Sequence, residues 1–327
     1  MLKEKRILIP NIEKKISQNL KKLEISPQIS PLQFFKTYGE HKHRYFSPCQ
    51  TKTGKTIAFY ARLHNNLDAK KKFIREAKFL KEIQEKNFSI KKVIPKIIEA
   101  GKEKDFEWMI REYIPGTTLG HSREITLPLT KKQIKELTIL IPEISKIPAE
   151  SFYSLKLKKF NCRNYLAENV YSFFSKKGII PKTIENKLLK IIKMALPLAE
   201  KENRYFSQGD LNLGNIIVDQ EKKFWIIDWE LIHINNFAYD IGYLWAHLWG
   251  IKRELRNKLI SGYLKQLEKG KLLKFKKLLP IVASYLSLGG IKIRYRKESE
   301  GDIEKRRKFY TTLLVNCTKS FEELIKT

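Results

Sequence analysis

The sequence predicts an α+β protein in two lobes: a small, mainly antiparallel β lobe with one long helix, then a larger, mainly helical lobe. Three observations lead there. At 327 residues the chain exceeds what one hydrophobic core usually supports. Strand-patterned segments gather before residue 116, whereas helical periodicity prevails from residue 130 onward. Interrupting the helical part is a turn-rich stretch, Arg204 to Asp240, whose short apolar runs stop at polar residues.

In chain order, Ile12, Ile16, Leu20 and Leu23 recur among lysines and predict an amphipathic helix that Pro27 and Pro31 break. Strands are expected at Leu32 to Tyr38, Arg44 to Thr51 and Thr56 to Leu63, with Lys52-Thr53-Gly54-Lys55 turning the last pair. Phe73, Ala77, Leu80 and Ile83 then fall on one side of a helix from about Asp68 to Gln84, with Asp68 as cap or first-turn acid. Lys96 to Gly101 and Phe106 to Tyr113 read as strands. Pro115-Gly116 ends the second and permits a change of direction, so the lobes divide as 1–116 and 117–327.

The second lobe opens with helices at Thr130 to Ile141, stopped by Pro142, at Cys162 to Lys176, and from Pro181 to Leu196. Beyond the turn-rich stretch, Ala238 to Gly250 is aromatic and apolar. Lys252 to Lys297 reads as mostly helical, with a boundary at Pro280 and a break at Gly289-Gly290, and 301–327 as a final helix. Trp245, Trp249, Tyr285 and Tyr295 could box a quaternary ammonium, although such residues are more often helix core.

The chemistry concentrates in RYFSQGDLNLGNIIVDQEKKFWIIDWE. It reads as a strand ending at Phe206, a loop through Gly214, and strands at Asn215 to Val218 and Phe224 to Ile227. If these last two pair as a hairpin through Asp219 to Lys223, Asn215 and Asp228 reach one point in space. An amide oxygen and a carboxylate there suit a hard cation such as Mg2+, with Asp210 placed to face a hydroxyl nucleophile. Ordinary strands with polar ends are the plain alternative. The joint spacing of Asp210, Asn215, Asp228 and Asp240 disfavours it.

Gly209-Asp210-Leu211-Asn212-Leu213-Gly214-Asn215, followed by Ile226-Ile227-Asp228-Trp229-Glu230, resembles the aminoglycoside phosphotransferase and choline kinase-like family, small-molecule kinases with a protein kinase-like fold. The resemblance implies that Asp210 is the catalytic base, that Asn215 and Asp228 are metal ligands, and that Asp240 anchors the loop from inside. It also implies ATP and Mg2+ as cofactors. Arg62 would stand where the family places a basic residue, usually Lys, on the phosphates; Arg keeps the charge and adds a bidentate fork. Glu76, in Arg75-Glu76-Ala77-Lys78-Phe79-Leu80, would pair with it, the plain alternative being a surface pair with Lys72. Glu112, Tyr113 and Ile114 resemble the family's hinge, whose backbone holds adenine. The turn at Gly39 to His43 would cover the phosphates, with one glycine where a phosphate loop has several. Gln208 replaces the family's His, which puts the loop's geometry in question. Glu230 could face an acceptor or stand in solvent.

Composition bounds the alternatives. Cys49, Cys162 and Cys317 are odd in number and unpaired in spacing, against a disulfide framework or zinc site and for a cytoplasmic location. No apolar stretch approaches the roughly 20 residues of a membrane span, and MLKEKRILIP lacks the apolar core of a signal peptide. The net charge of +30 is also the footprint of nucleic-acid binding, yet the lysine excess is diffuse and no recognition motif accompanies it. The expected partner is therefore a small-molecule hydroxyl acceptor. The basic 251–300 region favours an anionic acceptor over a polycationic one. A kinase-like binding module without activity is the alternative, motivated by Gln208.

Overall fold

A computed structural model of the protein describes residues 11–38, 44–121, 124–125, 128–166, 181–249, 253–294 and 300–326. The turn at 39–43, the helix beyond Leu166 and Tyr295 lie outside the described residues. The fold is α+β, with an antiparallel sheet early in the chain and helices predominating later. By its contacts the chain forms two units, Met1–Gly116 with Ile217–Leu231, and Thr117–Ile216 with Ile232–Thr327.

The first unit is built on strands β1 (Ile25–Pro27), β2 (Arg44–Thr51), β3 (Thr56–Leu63), β4 (Ile97–Lys102) and β5 (Phe106–Glu112), ordered β1-β2-β3-β5-β4. Alternation along the pleat separates its two faces. Phe59, Ala61, Leu63, Phe106, Trp108 and Ile110 join one core with Ile16 and Leu20 of helix α1 (Ile12–Lys22) and with Phe34 and Phe35 of α2 (Pro31–Tyr38). Tyr60, Arg62, Glu107 and Arg111 alternate with them and take the opposite face. Helix α3 (Leu67–Glu85) packs there through Phe73, Phe79, Leu80 and Ile83, and Asn66 caps it by accepting from the Ala69 N–H at 2.9 Å. Asp68 is the first-turn acid and pairs with Lys72.

Two readings of this unit need correction. Leu32 to Tyr38 is helical, not extended: Pro31 is suited to a first helical position, and Phe34 and Phe35 are adjacent buried residues that an alternating strand would separate. Residues 217–231 belong here rather than to an unbroken 117–327 lobe. Their hairpin turns at Asp219–Lys223, and the turn after it seats Trp229 on Phe79 at 4.9 Å between ring centroids.

The chain leaves the first unit through β6 (Gly116–Thr118) and forms the short β7 (Gly120–His121) and β8 (Glu124–Ile125). In the second unit follow α4 (Lys131–Ser145), α5 (Cys162–Leu166), α6 (Lys182–Lys201) and β9 (Tyr205–Ser207). The hairpin strands are β10 (Ile216–Asp219) and β11 (Phe224–Ile226). After them come β12 (His233–Asn235), α7 (Tyr239–His247), α8 (Arg253–Leu264), α9 (Lys269–Arg294), α10 (Glu300–Asn316) and α11 (Phe321–Lys326). Helix α9 is the core element, burying Phe275, Leu278, Ile281, Val282 and Leu288.

Neither Pro142 nor Pro280 ends a helix, and Gly289-Gly290 does not break one. A proline inside a helix orphans the carbonyl four residues back. At Pro142 that carbonyl is Thr138's, and the Gln266 side-chain amide donates to it at 2.8 Å. Gly290 admits a ring: a β-carbon there would sit 2.2 Å from Tyr310 Cζ, and one at Gly289 2.4 Å from the Tyr165 hydroxyl oxygen. The three cysteines are buried free thiols, and no helix among the described residues is long and apolar enough to cross a membrane.

Candidate active site

In the second unit the loop after β9 is held from beneath. Asp240, on the first turn of α7, accepts from the Ser207 hydroxyl at 2.8 Å and from the Gln208 and Gly209 N–H groups at 3.1 and 3.2 Å. Burial pushes its carboxyl up to about 6, opposed by those three donors. Pairing of β9 with β12 brings Ser207 opposite His233 and fixes the chain on entry. Gly209 then adopts a φ of 91°, open to glycine but strained for other residues. Gln208 is fully buried, and its Oε1 accepts from the Asp210 N–H at 2.7 Å. The residue that departs from the family's His thus braces the loop.

Asp210 projects from this turn. Its Oδ1 accepts from the Tyr243 hydroxyl at 2.8 Å and its Oδ2 from the Asn215 amide at 3.3 Å. The same amide donates to the Asp210 carbonyl at 2.8 Å, which the Asn212 amide also reaches at 3.1 Å. Burial raises the Asp210 carboxyl above the usual range, while Tyr243, Asn212 and Asn215 oppose it. Asp210 lines a cavity of about 430 Å³ walled largely by aromatic rings, among them Phe160, Tyr239, Tyr243, Tyr285 and Tyr310. Such a carboxylate is placed to accept a proton from a bound hydroxyl.

Asp228 lies in the first unit, at a φ of 60° that orients the turn beyond it. One ligand atom each of Glu76, Asp228 and Glu230 lies within 4.8 Å of the others. Glu76 is buried and pushed up to about 7, by burial first and then by repulsion from Asp228 and Glu230, against the pull of Arg111. Burial and Asp228 likewise raise Glu230. Three carboxylates crowded in this way are hard oxygen donors that a divalent cation would relieve.

The expected Arg62–Glu76 pair does not form, nor does the surface pair of Glu76 with Lys72. Glu76 accepts from Arg111 at 3.3 Å and from the Trp229 N–H at 3.2 Å, while Arg62 donates to Glu230 at 2.7 Å. Both arginines stand on the sheet face that α3 covers, so helix position selects the partner. Register places Arg111 opposite Ala58 and Arg62 opposite Glu107. Arg111 also lies 4.2 Å over the Tyr60 ring. Among the described residues, the buried Arg62 Nε has no hydrogen-bond partner. Glu112 ends β5, its N–H donating to the Lys96 carbonyl at 2.8 Å, and Tyr113 and Ile114 follow.

Sequence reasoning missed Arg111 and Tyr243. Period-two alternation along β5, with Phe106, Trp108 and Ile110 in the core, could have flagged the first as facing the other side. The second follows Asp240 by three residues, on the same helix face. No quaternary-ammonium box forms from Trp245 and Trp249: both rings pack around Arg256, at 5.5 and 4.1 Å.

Comparison with known proteins bears on the assembly. The family described as "Phosphotransferase enzyme family" matches residues 46–273. Wild-type aminoglycoside 2'-phosphotransferase-IIIa in its GDP complex shares the fold with a TM-score of 0.62 at 13% identity, over 94% of this chain and 99% of that one. Spectinomycin phosphotransferase with ADP and spectinomycin gives 0.54 at 14%, over 86% and 90%. A macrolide 2'-phosphotransferase from Brachybacterium faecium, an apoenzyme, gives 0.55 at 12%, over 84% and 89%. No curated protein sequence matches the chain.

Proposed function

Since the chain belongs to the phosphotransferase enzyme family, we propose that it transfers the γ-phosphoryl group of ATP to a hydroxyl of a small molecule. The observation that carries this reading is Asp210, braced by Gln208, Tyr243 and Asn215 and lining a cavity large enough for a small acceptor. In the proposed reaction Asp210 orients the acceptor hydroxyl and takes its proton as the oxygen attacks phosphorus. Arg62 contacts the phosphates, a role supported by its unpartnered Nε; Glu230 and Glu76, the latter through Arg111, fix the surrounding charges. The backbone of Glu112, Tyr113 and Ile114 holds the base, and since the Glu112 N–H already serves Lys96, its carbonyl is the group offered there. Asn215 and Asp228 are the proposed ligands of Mg2+, which when bound would neutralise phosphate charge. Buried free thiols at positions 49, 162 and 317 agree with a cytoplasmic setting.

Thermal unfolding with Mg2+ and ATP tests this. At about 100 times the dissociation constant, binding adds roughly 2.7 kcal/mol. The wild type and Asp210→Asn should show the shift, and Asp228→Asn should lose it. A full shift in Asp228→Asn would remove Asp228 from the metal site, and no shift in the wild type would favour the module without activity.

A further inference from the structure

We infer that the acceptor is a compact, uncharged ring alcohol with few other polar groups. The inference rests on the phosphotransferase reading for the word acceptor; the ligand class comes from the cavity itself. At about 430 Å³ the cavity is near the low end of small-molecule sites, which run from about 300 to 1,000 Å³. From Asp210 inward its wall is a run of π surfaces. Tyr243 stacks on Tyr239 at 5.7 Å, Tyr239 meets Phe160 at 5.9 Å, and Phe160 meets Tyr285 at 5.3 Å. Gly290 lets the Tyr310 ring lie directly on α9, so this ring too belongs to the lining.

Charge narrows the class. Among the described lining residues there is no lysine or arginine, and Asp210 is the only carboxylate. A polycation would find one counter-charge, and an anion would face a carboxylate with His247 as the only ionisable basic side chain among the described lining residues. The basic surface of the 251–300 region therefore does not carry over to the cavity wall.

Hydrogen bonding narrows it again. The Asn212 amide is engaged at both ends, donating to the Asp210 carbonyl and accepting from the Gly214 N–H at 2.8 Å. The Tyr165 hydroxyl donates to the Tyr285 carbonyl at 2.9 Å and that of Tyr243 to Asp210. The buried Tyr285 hydroxyl has no hydrogen-bond partner among the described residues and could meet one further polar group, but a polyol with more would have to displace the bonds above or bury unsatisfied hydroxyls. A flat apolar ring with one hydroxyl needs only the aromatic wall and Asp210. In the transfer its oxygen–phosphorus bond forms as the bond from the γ-phosphorus to ADP breaks, and the hydroxyl proton passes to Asp210.

The test uses the whole chain with four probes: 2-phenylethanol, methyl glucoside, choline and kanamycin. Ligand-observed NMR measures binding without nucleotide, and phosphorus NMR with Mg2+ and ATP detects product. Phenylethanol should bind at least about tenfold tighter than the others, in the wild type and in Asp210→Asn. Tyr310→Leu should weaken it by about 3- to 10-fold, the worth of one aromatic contact. Gly290→Ala, which drives the Tyr310 ring off its seat, should act in the same direction if Tyr310→Leu fails to fold. Equal or tighter binding of glucoside, choline or kanamycin overturns the inference, as does phenylethanol binding that neither variant changes. Binding without phosphorylation in protein that binds nucleotide overturns the acceptor role. If phenylethanol binds but nucleotide does not, the ligand class stands and the phosphotransferase reading fails.

Discussion

Gln208 and Asp240 carry the geometry of the loop that presents Asp210, at the scale of single side chains. Gln208→Ala leaves the Asp210 N–H without its acceptor, and urea unfolding should show a loss of about 1–3 kcal/mol. Gln208→His should retain most of that stability, because a neutral imidazole has an acceptor nitrogen; an alanine variant as stable as wild type would remove the brace from the account. Asp240 makes a pH-dependent contribution. Its carboxyl titrates at 3.8 in the ordinary range and at about 6 when folded, so the folded state binds the proton more tightly. The stability linked to it is fully present below pH 3.8 and is lost as pH rises through about 6. The unfolding free energy of wild type minus that of Asp240→Asn should therefore fall from pH 4 to 6 and level off above. A difference independent of pH over that range would contradict the burial argument.

Helices in this chain are decided by what packs on them more than by their breakers. Pro142 lies inside α4 because Gln266 of the neighbouring segment supplies the donor that the proline lacks. Gln266→Leu should cost about 1–3 kcal/mol in denaturant unfolding. Pro142→Ala, which restores an N–H to the helix, should make the same Gln266 change nearly neutral. A double-mutant cycle with no coupling would show that the two features are independent. The same logic explains α9, which runs through Pro280 and both glycines because its apolar faces are buried along the helix and Gly290 receives a tyrosine ring.

Over the whole molecule, 65 basic residues oppose 35 acidic ones, and the 201–250 segment, with 4 basic against 7 acidic, runs against the trend. Local negative charge there agrees with a cation-dependent site, while the remaining excess repels itself across the surface. Raising ionic strength from about 0.05 to 0.3 M shortens the screening length, and the unfolding midpoint should rise by roughly a few degrees. A falling midpoint would mean that favourable ion pairs outweigh the repulsion.

What the sequence determined by itself is the split into a strand-rich and a helix-rich part and the position of the loop that carries Asp210, though not that Leu32 to Tyr38 is helical. Period-two and period-3.6 patterning are local, and Asp210, Asn215, Asp228 and Asp240 stand at readable spacings from strand ends and a helix start. Tertiary structure alone decided which arginine meets Glu76, which unit holds residues 217–231, where prolines are tolerated, and which aromatic residues share a cavity. Each of those depends on contacts between segments distant in the chain. Arg62 and Arg111 are equally charged and share a sheet face, so only the placement of α3 and of the Trp229 turn separates their partners.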